Sequence, residues 1–328
     1  MHATYETYVR QGKLVAPDPP GRIDSTHGRT PGPPAPSNGL APWLAQAEAY
    51  VRRSKSANTV KAYQSDWVAF EAFCRTEERA SLPATPDTVA AYAARSAETL
   101  KANTVERLLT AISQAHQLAG YPNPVEDKLV RTVMAGIRRV KGTAQKGKDP
   151  LSPELLRKMF ADASEDLRSV RDRGLLLLGF AGALRRSELV GLQHEDLRFT
   201  DDGLVLTIRQ SKTDQEREGQ TIGIPHGSHP ETCPVRAVRT WLERSEVESG
   251  FLFRAIGRWG REVIPKPICD HQLAKIIKTL ARRAGLDSNA FSGHSLRSGL
   301  ATSAAEGGAT ERSIMEQTRH RSLKQVRQ

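Results

Sequence analysis

Phe291-Ser292-Gly293-His294-Ser295-Leu296-Arg297-Ser298-Gly299 puts a histidine three residues before an arginine. If the chain is helical from Ser295, residues three apart share a face. An imidazole and a guanidinium then point at one spot. Such a pair suits a phosphate, because arginine grips two oxygens bidentately and histidine moves a proton near neutral pH. Taken alone, His-x-x-Arg is a weak signal in a chain with 48 Lys and Arg, since a surface helix with scattered charges contains it too. A second pair, Arg185 and Glu188, follows the apolar run from Leu175 to Leu184. Two readings of it stand: Glu188 satisfies Arg185 structurally, or Arg185 holds an anion with Glu188 orienting it. Lys212 sits at the start of a polar loop between two alternating stretches, where it is either an ordinary loop residue or a mobile cation that reaches a cleft. His226 and His229 are a close pair, but no Asp/Glu cluster stands with them, which counts against a metal-dependent nuclease.

The chain that carries these residues is large enough for two domains and tails, at 328 residues. With 38% hydrophobic and 26% charged residues, it fits a soluble globular protein. A net charge of +11 calls for solvation or a polyanion, of which nucleic acid is the commonest. Aromatic residues are only 5%, which favours a duplex-backbone binder over a base-stacking single-strand binder. Cys74, Cys233 and Cys269 are odd in number and far apart, against a disulfide framework or zinc site and in keeping with a reducing cytoplasm. The N-terminus has no apolar core of a secretory signal, and no apolar run approaches the ~20 residues that cross a bilayer.

Several elements must position the candidate residues. Residues 1–40 are crowded with proline and glycine and form an expected flexible tail, either an arm or a plain linker. From 41 to 141 the pattern is helical. Val60, Tyr63, Trp67, Phe70 and Cys74 recur at helical steps after a cap at Ser56 or Asn58. Thr85-Pro86-Asp87 starts another helix. Asn103 with Glu106 resembles a capping box before the Leu108–Leu118 stripe, and Leu129, Val133 and Ile137 mark a last helix. Basic residues cluster at Arg52, Arg53 and Lys55, and at Arg138, Arg139 and Lys141. Each cluster is either a phosphate-backbone contact or a solvated charge run. Residues 142–150 form a basic interdomain linker. The second domain, 151–328, opens with Ser152 as N-cap and Pro153 at the first helical position. An apolar helix over 174–184 follows. Leu204, Leu206 and Ile208 alternate as a strand, and Ile222 and Ile224 form its partner. Helices from Pro234 and around Leu273–Leu280 complete it, with 251–268 less regular. The fold class is thus mainly α with a small antiparallel β-sheet (α+β).

Taken together, these elements resemble the tyrosine site-specific recombinases, the phage integrase and Cre-like group. Ala-Leu-Arg185-Arg-Ser-Glu188-Leu resembles that family's first arginine motif, and Lys212 its β-hairpin lysine. Ser-Gly-His294-Ser-Leu-Arg297 is similar to its His-x-x-Arg, Arg319-His320-Arg-Ser-Leu to its last His/Trp position, and the helices of 41–141 to its core-binding domain. Arg185 and Arg297 lie 112 residues apart (297 − 185). The resemblance implies that Arg185, Arg297 and His320 stabilise a phosphodiester transition state without a metal or other cofactor. It implies Lys212 as the acid for the departing 5′ oxygen, His294 as proton acceptor or hydrogen-bonding support, and Glu188 as the holder of Arg185. It implies duplex DNA with an inverted-repeat site, a dimer per site and a tetramer in synapsis, with no membrane partner and a cytoplasmic, DNA-associated location. The family attacks with a tyrosine that forms a 3′-phosphotyrosyl link. All six tyrosines here precede Arg185. The resemblance puts the nucleophile about nine residues after His320, just past Gln328, so a C-terminal truncation is expected, with a chain that binds DNA but does not cut it. A DNA-binding module that never cuts and a type IB topoisomerase-like relaxing enzyme are the alternatives.

Overall fold

The structure is a computed structural model that describes residues 55–144, 147–209 and 219–319. The chain divides into two compact units, 1–145 and 146–328.

Among the described residues, the first unit holds four α-helices: α1 (Ala57–Thr76), α2 (Pro86–Thr99), α3 (Ala102–Leu118) and α4 (Lys128–Lys141). Local chemistry sets their starts. Ser56 accepts a hydrogen bond from the Thr59 N–H, and Thr85 accepts one from the Thr88 N–H with Pro86 next in line. The Asn103–Glu106 capping box expected from the sequence does not form. Lys101 is the N-cap of α3, so Asn103 lies already inside the first turn, and Glu106 instead meets Arg138 of α4 at 2.6 Å. The core unites Trp67, Phe70, Val89, Ala93, Ile112 and Met134. Within it, His116 is fully buried and both ring nitrogens are spoken for. Nδ1 donates to the Ile112 carbonyl at 2.9 Å, and Nε2 accepts from the Ala84 N–H at 2.8 Å. That pattern requires the neutral ring, and burial holds its pKa below the usual histidine value.

The second unit is built around α6 (Leu167–Ala181). Short α5 (Pro153–Phe160) precedes it and α7 (Arg186–Gly191) follows it. Strands β1 (Leu197–Thr200), β2 (Gly203–Ile208) and β3 (Gln220–Pro225) form an antiparallel sheet in that order, with Leu206 opposite both Leu197 and Ile222. Then come α8 (Pro234–Ser245), β4 (Arg254–Ile256) with β5 (Val263–Pro267), α9 (Asp270–Arg283), α10 (Gly293–Glu306) and α11 (Glu311–Thr318). The β4–β5 ribbon occupies the stretch read from sequence as irregular. Its strands are short and one register shift interrupts their alternation. Helix α6 also begins earlier, and ends earlier, than the apolar run over 174–184 suggests. Its first turns carry Arg171 and Arg173, which mask the apolar face. Arg171 is buried by bonding Asp172 and the Arg254 carbonyl. At the other end the helix stops at Gly182, and Ala183 turns the chain with φ +43°.

The core of this unit packs α6 (Leu175, Leu176, Leu178) against α8 (Val238, Trp241), the sheet (Leu204, Leu206, Ile224), α9 (Leu273, Ile277) and α10 (Leu296). Two glycines permit the tightest approaches. A Cβ at Gly179 would meet Leu189 at 2.7 Å and Leu296 at 3.0 Å, so this glycine lets α6, α7 and α10 converge. A Cβ at Gly299 would lie 2.0 Å from the Leu151 carbonyl oxygen, where residues 149–151 run against α10. That segment is pinned by Asp149 N–H to the Ala290 carbonyl and Leu151 N–H to the Ser295 carbonyl, each at 2.9 Å.

Candidate active site

The convergence of α6, α7 and α10 builds the site. The left-handed turn at Ala183 brings the chain round so that Arg185 becomes the N-cap of α7. Glu188, three residues on, reaches back. Its Oε2 accepts the Arg185 backbone N–H at 2.9 Å, and its Oε1 accepts Arg185 Nη1 at 2.7 Å. The Glu188 side chain is fully buried, whereas that of Arg185 keeps 19% exposure. The carboxylate therefore anchors a guanidinium that still reaches the surface.

Helix α10 supplies the other pair. Ser292 caps it through the His294 N–H, so the helix starts one turn before Arg297. Arg297 is 3% exposed, and its Nη1 donates to the Ala183 carbonyl at 2.7 Å. Burial first, then the charges of Arg185 and Arg319, push its guanidinium down to about 9, which still leaves it charged at neutral pH. His294 is exposed, yet partial desolvation and then the charges of Arg297 and Arg185 lower its pKa below the usual value. Near neutral pH it is therefore an uncharged ring that can accept a proton.

Arg319 is the residue that sequence reasoning missed. It closes α11 with φ +56° and is buried beside Glu188, Nη2 to Oε2 at 2.8 Å. The one sequence signal was a bulky cation directly after a helix end, a place where glycine is usual. The cluster of buried Arg297, Arg319 and Glu188 with half-buried Arg185 carries three positive charges and one negative, a net +2 (3 − 1). Charge of that sign in a low-dielectric setting is organised to receive an anion.

The structure thus brings Arg185, Glu188, His294 and Arg297 into one electrostatic cluster. Lys212 and His320 lie outside the described residues, as do Arg52 and Arg53. The strand leading to Lys212 is anchored nearby: Arg209, just after β2, bonds Asp196 and donates to Gln193 Oε1 at 2.8 Å. Lys55 is exposed and lies over the Tyr63 ring. Arg139 is exposed, Arg138 is paired with Glu106, and Lys141 donates to the Glu98 and Leu100 carbonyls at the end of α2. Among the described residues, no group of three or more His, Cys, Asp or Glu could hold a metal ion, and no helix is long and apolar enough to cross a membrane.

Residues 149–328 match the phage integrase family, and residues 48–120 match its N-terminal SAM-like domain. The chain belongs to the phage integrase family of tyrosine recombinases. The integrase/recombinase xerD homolog of Selenomonas ruminantium is 44% identical over 286 residues, spanning 86% of this chain and 83% of that protein. The recombinase Cre of Escherichia phage P1 is 24% identical over 287 residues, 81% of each. In fold, the chain is similar to XerH site-specific recombinase bound to a palindromic difH substrate, with TM-score 0.62 at 16% identity, covering 87% of this chain and 79% of that one. It is also similar to a λ integrase dimer bound to a COC′ core site, with TM-score 0.58 at 20% identity and coverage of 88% and 95%. The expected fold class holds: mainly helical with small antiparallel sheets, with a SAM-like unit ahead of an integrase catalytic unit.

Proposed function

We propose that this phage integrase family member is a site-specific DNA recombinase that cuts and rejoins strands of duplex DNA through a 3′-phosphotyrosyl intermediate. The observation that carries the reading is the buried Glu188 holding Arg185 toward the surface beside Arg297, with net positive charge left over. In the cleavage step a tyrosine oxygen bonds to phosphorus and its proton passes to neutral His294. The bond from phosphorus to the 5′ oxygen breaks, and Lys212 gives that oxygen a proton. Arg185, Arg297 and His320 face the non-bridging oxygens, where charge builds up in the transition state. Rejoining runs the same steps backwards, so bond energy is conserved in the phosphotyrosine and no ATP or metal is required.

The organisation we infer is a tail over 1–40, a core-binding domain over 41–141, a linker over 142–150 and a catalytic domain from 151. Arg52, Arg53, Lys55, Arg138, Arg139 and Lys141 would track the phosphate backbone, Lys141 while also capping α2. Two copies would occupy an inverted-repeat site and four would form the synapse, acting on DNA in the cytoplasm. The six tyrosines of these 328 residues all precede Arg185, and the cleavage step above needs one placed at the phosphate. A relaxing enzyme of the type IB topoisomerase class would change linking number without exchanging strands between two sites.

The test is selection of bound duplexes from a random pool, followed by titration at several salt concentrations. The reading expects a two-fold symmetric site and an affinity that falls steeply with salt, as phosphate contacts release counterions. Salt-independent binding, or enrichment of no sequence, would overturn it.

A further inference from the structure

Arg319 takes up a backbone state that residues with a Cβ adopt only at a cost, φ +56°. The side chain explains what the strained position achieves. Nη2 donates to Glu188 Oε2 at 2.8 Å and to the Ala183 carbonyl at 3.1 Å, and Nη1 donates to the Gly182 and Gln317 carbonyls at 3.0 and 3.1 Å. Those four bonds consume all four terminal N–H groups of the guanidinium. Arg319 therefore has none of them to offer a phosphate.

Two of its four acceptors are shared with those arginines. Glu188 Oε2 also takes the Arg185 backbone N–H, while the other carboxylate oxygen holds Arg185 Nη1. The Ala183 carbonyl also takes Arg297 Nη1 at 2.7 Å. One planar fork thus bridges the anchor of Arg185 and the anchor of Arg297. It also divides the single negative charge of Glu188, so that less of the charge of Arg185 is neutralised inside the protein. Lysine cannot substitute, because a point ammonium lacks the fixed fork.

We propose that Arg319 is a positioning residue that locks Glu188 to the Ala183 carbonyl and so sets the spacing of Arg185 and Arg297 for one phosphate. The inference rests on the phosphate-site reading above and goes beyond it, since it assigns the register of that site to a residue that does not touch the substrate.

The test uses residues 1–328 and orthovanadate, a phosphate-shaped oxyanion, titrated calorimetrically into wild type, Arg319→Lys, Arg319→Gln and Arg297→Ala. Protein with isotope-labelled arginine gives the guanidinium resonances of Arg185 and Arg297 in the same samples. Arg319→Lys is expected to stay folded, to lose about tenfold in affinity, the worth of one charge-assisted hydrogen bond, and to shift or broaden both resonances. Wild-type affinity with both resonances unmoved would overturn the proposal and reduce Arg319 to a packing role. If wild type and Arg297→Ala bind the oxyanion equally, the phosphate-site reading fails, and the positioning role falls with it. If neither Arg319 variant folds, the wild-type spectrum decides. Slowly exchanging, resolved Nη signals for Arg185 and Arg297 support the lock, and freely rotating ones refute it.

Discussion

Replacing Glu188 by glutamine should unfold the catalytic unit far more easily while leaving the helical first unit almost untouched. The carboxylate is fully buried and accepts from Arg185 Nη1 (2.7 Å), the Arg185 N–H (2.9 Å) and Arg319 Nη2 (2.8 Å). Glutamine is nearly isosteric, so no cavity forms. It keeps one acceptor oxygen and turns an NH2 toward a guanidinium, donor against donor. It also raises the cluster's charge from net +2 to net +3, because one carboxylate is lost against the same three guanidiniums. Breaking a buried ion pair from one side costs about 3–5 kcal/mol. With a urea slope of about 2 kcal/mol/M, that loss lowers the midpoint by roughly 2 M. Two tryptophans report the units separately: Trp67 is buried in the first core and Trp241 in the second. Urea titrations of chains in which Trp43 and Trp259 are also replaced by Phe, with either Trp67 or Trp241 left as the sole tryptophan, would follow each in turn. A Trp241-reported midpoint within about 0.3 M of wild type, well inside the shift expected from the slope, would refute the claim that Glu188 holds the cluster together.

Gly299→Ala sets a methyl 2.0 Å from the Leu151 carbonyl oxygen, backbone against backbone, so it should cost about 1–3 kcal/mol or displace residues 149–151; unchanged thermal stability would contradict that close approach. His116 is buried neutral with a lowered pKa, so the unfolded state takes up its proton first. The first unit should keep full stability above about pH 6.5 and lose it as pH falls toward the folded value, by at most about 1.4 kcal/mol per pH unit. Denaturation at pH 7.5 and 5.0, compared with a His116→Gln variant, checks both sign and source, and an equal acid loss in the variant would remove His116 as the cause. Lys141→Met removes the ammonium from the Glu98 and Leu100 carbonyls, and should destabilise the first unit slightly as well as weaken DNA binding. Weaker binding at unchanged stability would show that the cap contributes nothing.

Legibility in the sequence followed the range of the interactions. Ser56, Thr85 and Ser152 announced their helices because a cap acts over three residues, whatever lies across the fold. Asn103 and Glu106 had the same local signature and were overruled by tertiary context, in which Glu106 faces Arg138 of another helix. The start of α6 was hidden because Arg171 is buried by partners at 172 and 254, and only the first of these is a neighbour in the chain. In the site, Arg185 with Glu188 and His294 with Arg297 are pairs three residues apart, so their faces could be inferred from helix geometry. Arg319 meets Glu188 across 131 residues of sequence, and its burial depends on carbonyls that the left-handed turn at Ala183 presents. No local pattern encodes that meeting.

The central claim is a phosphate-activating pocket that works on DNA once a tyrosine is present. The most direct measurement joins a tyrosine-bearing segment to Gln328 and mixes the chain with a nicked duplex of the selected site, which traps a covalent protein–DNA product. The account predicts a denaturant-resistant complex through that tyrosine, lost in Arg297→Ala while affinity for the duplex stays within about threefold, less than one kcal/mol. No covalent product from wild type, or an Arg297→Ala variant that forms it as well as wild type, would contradict the account.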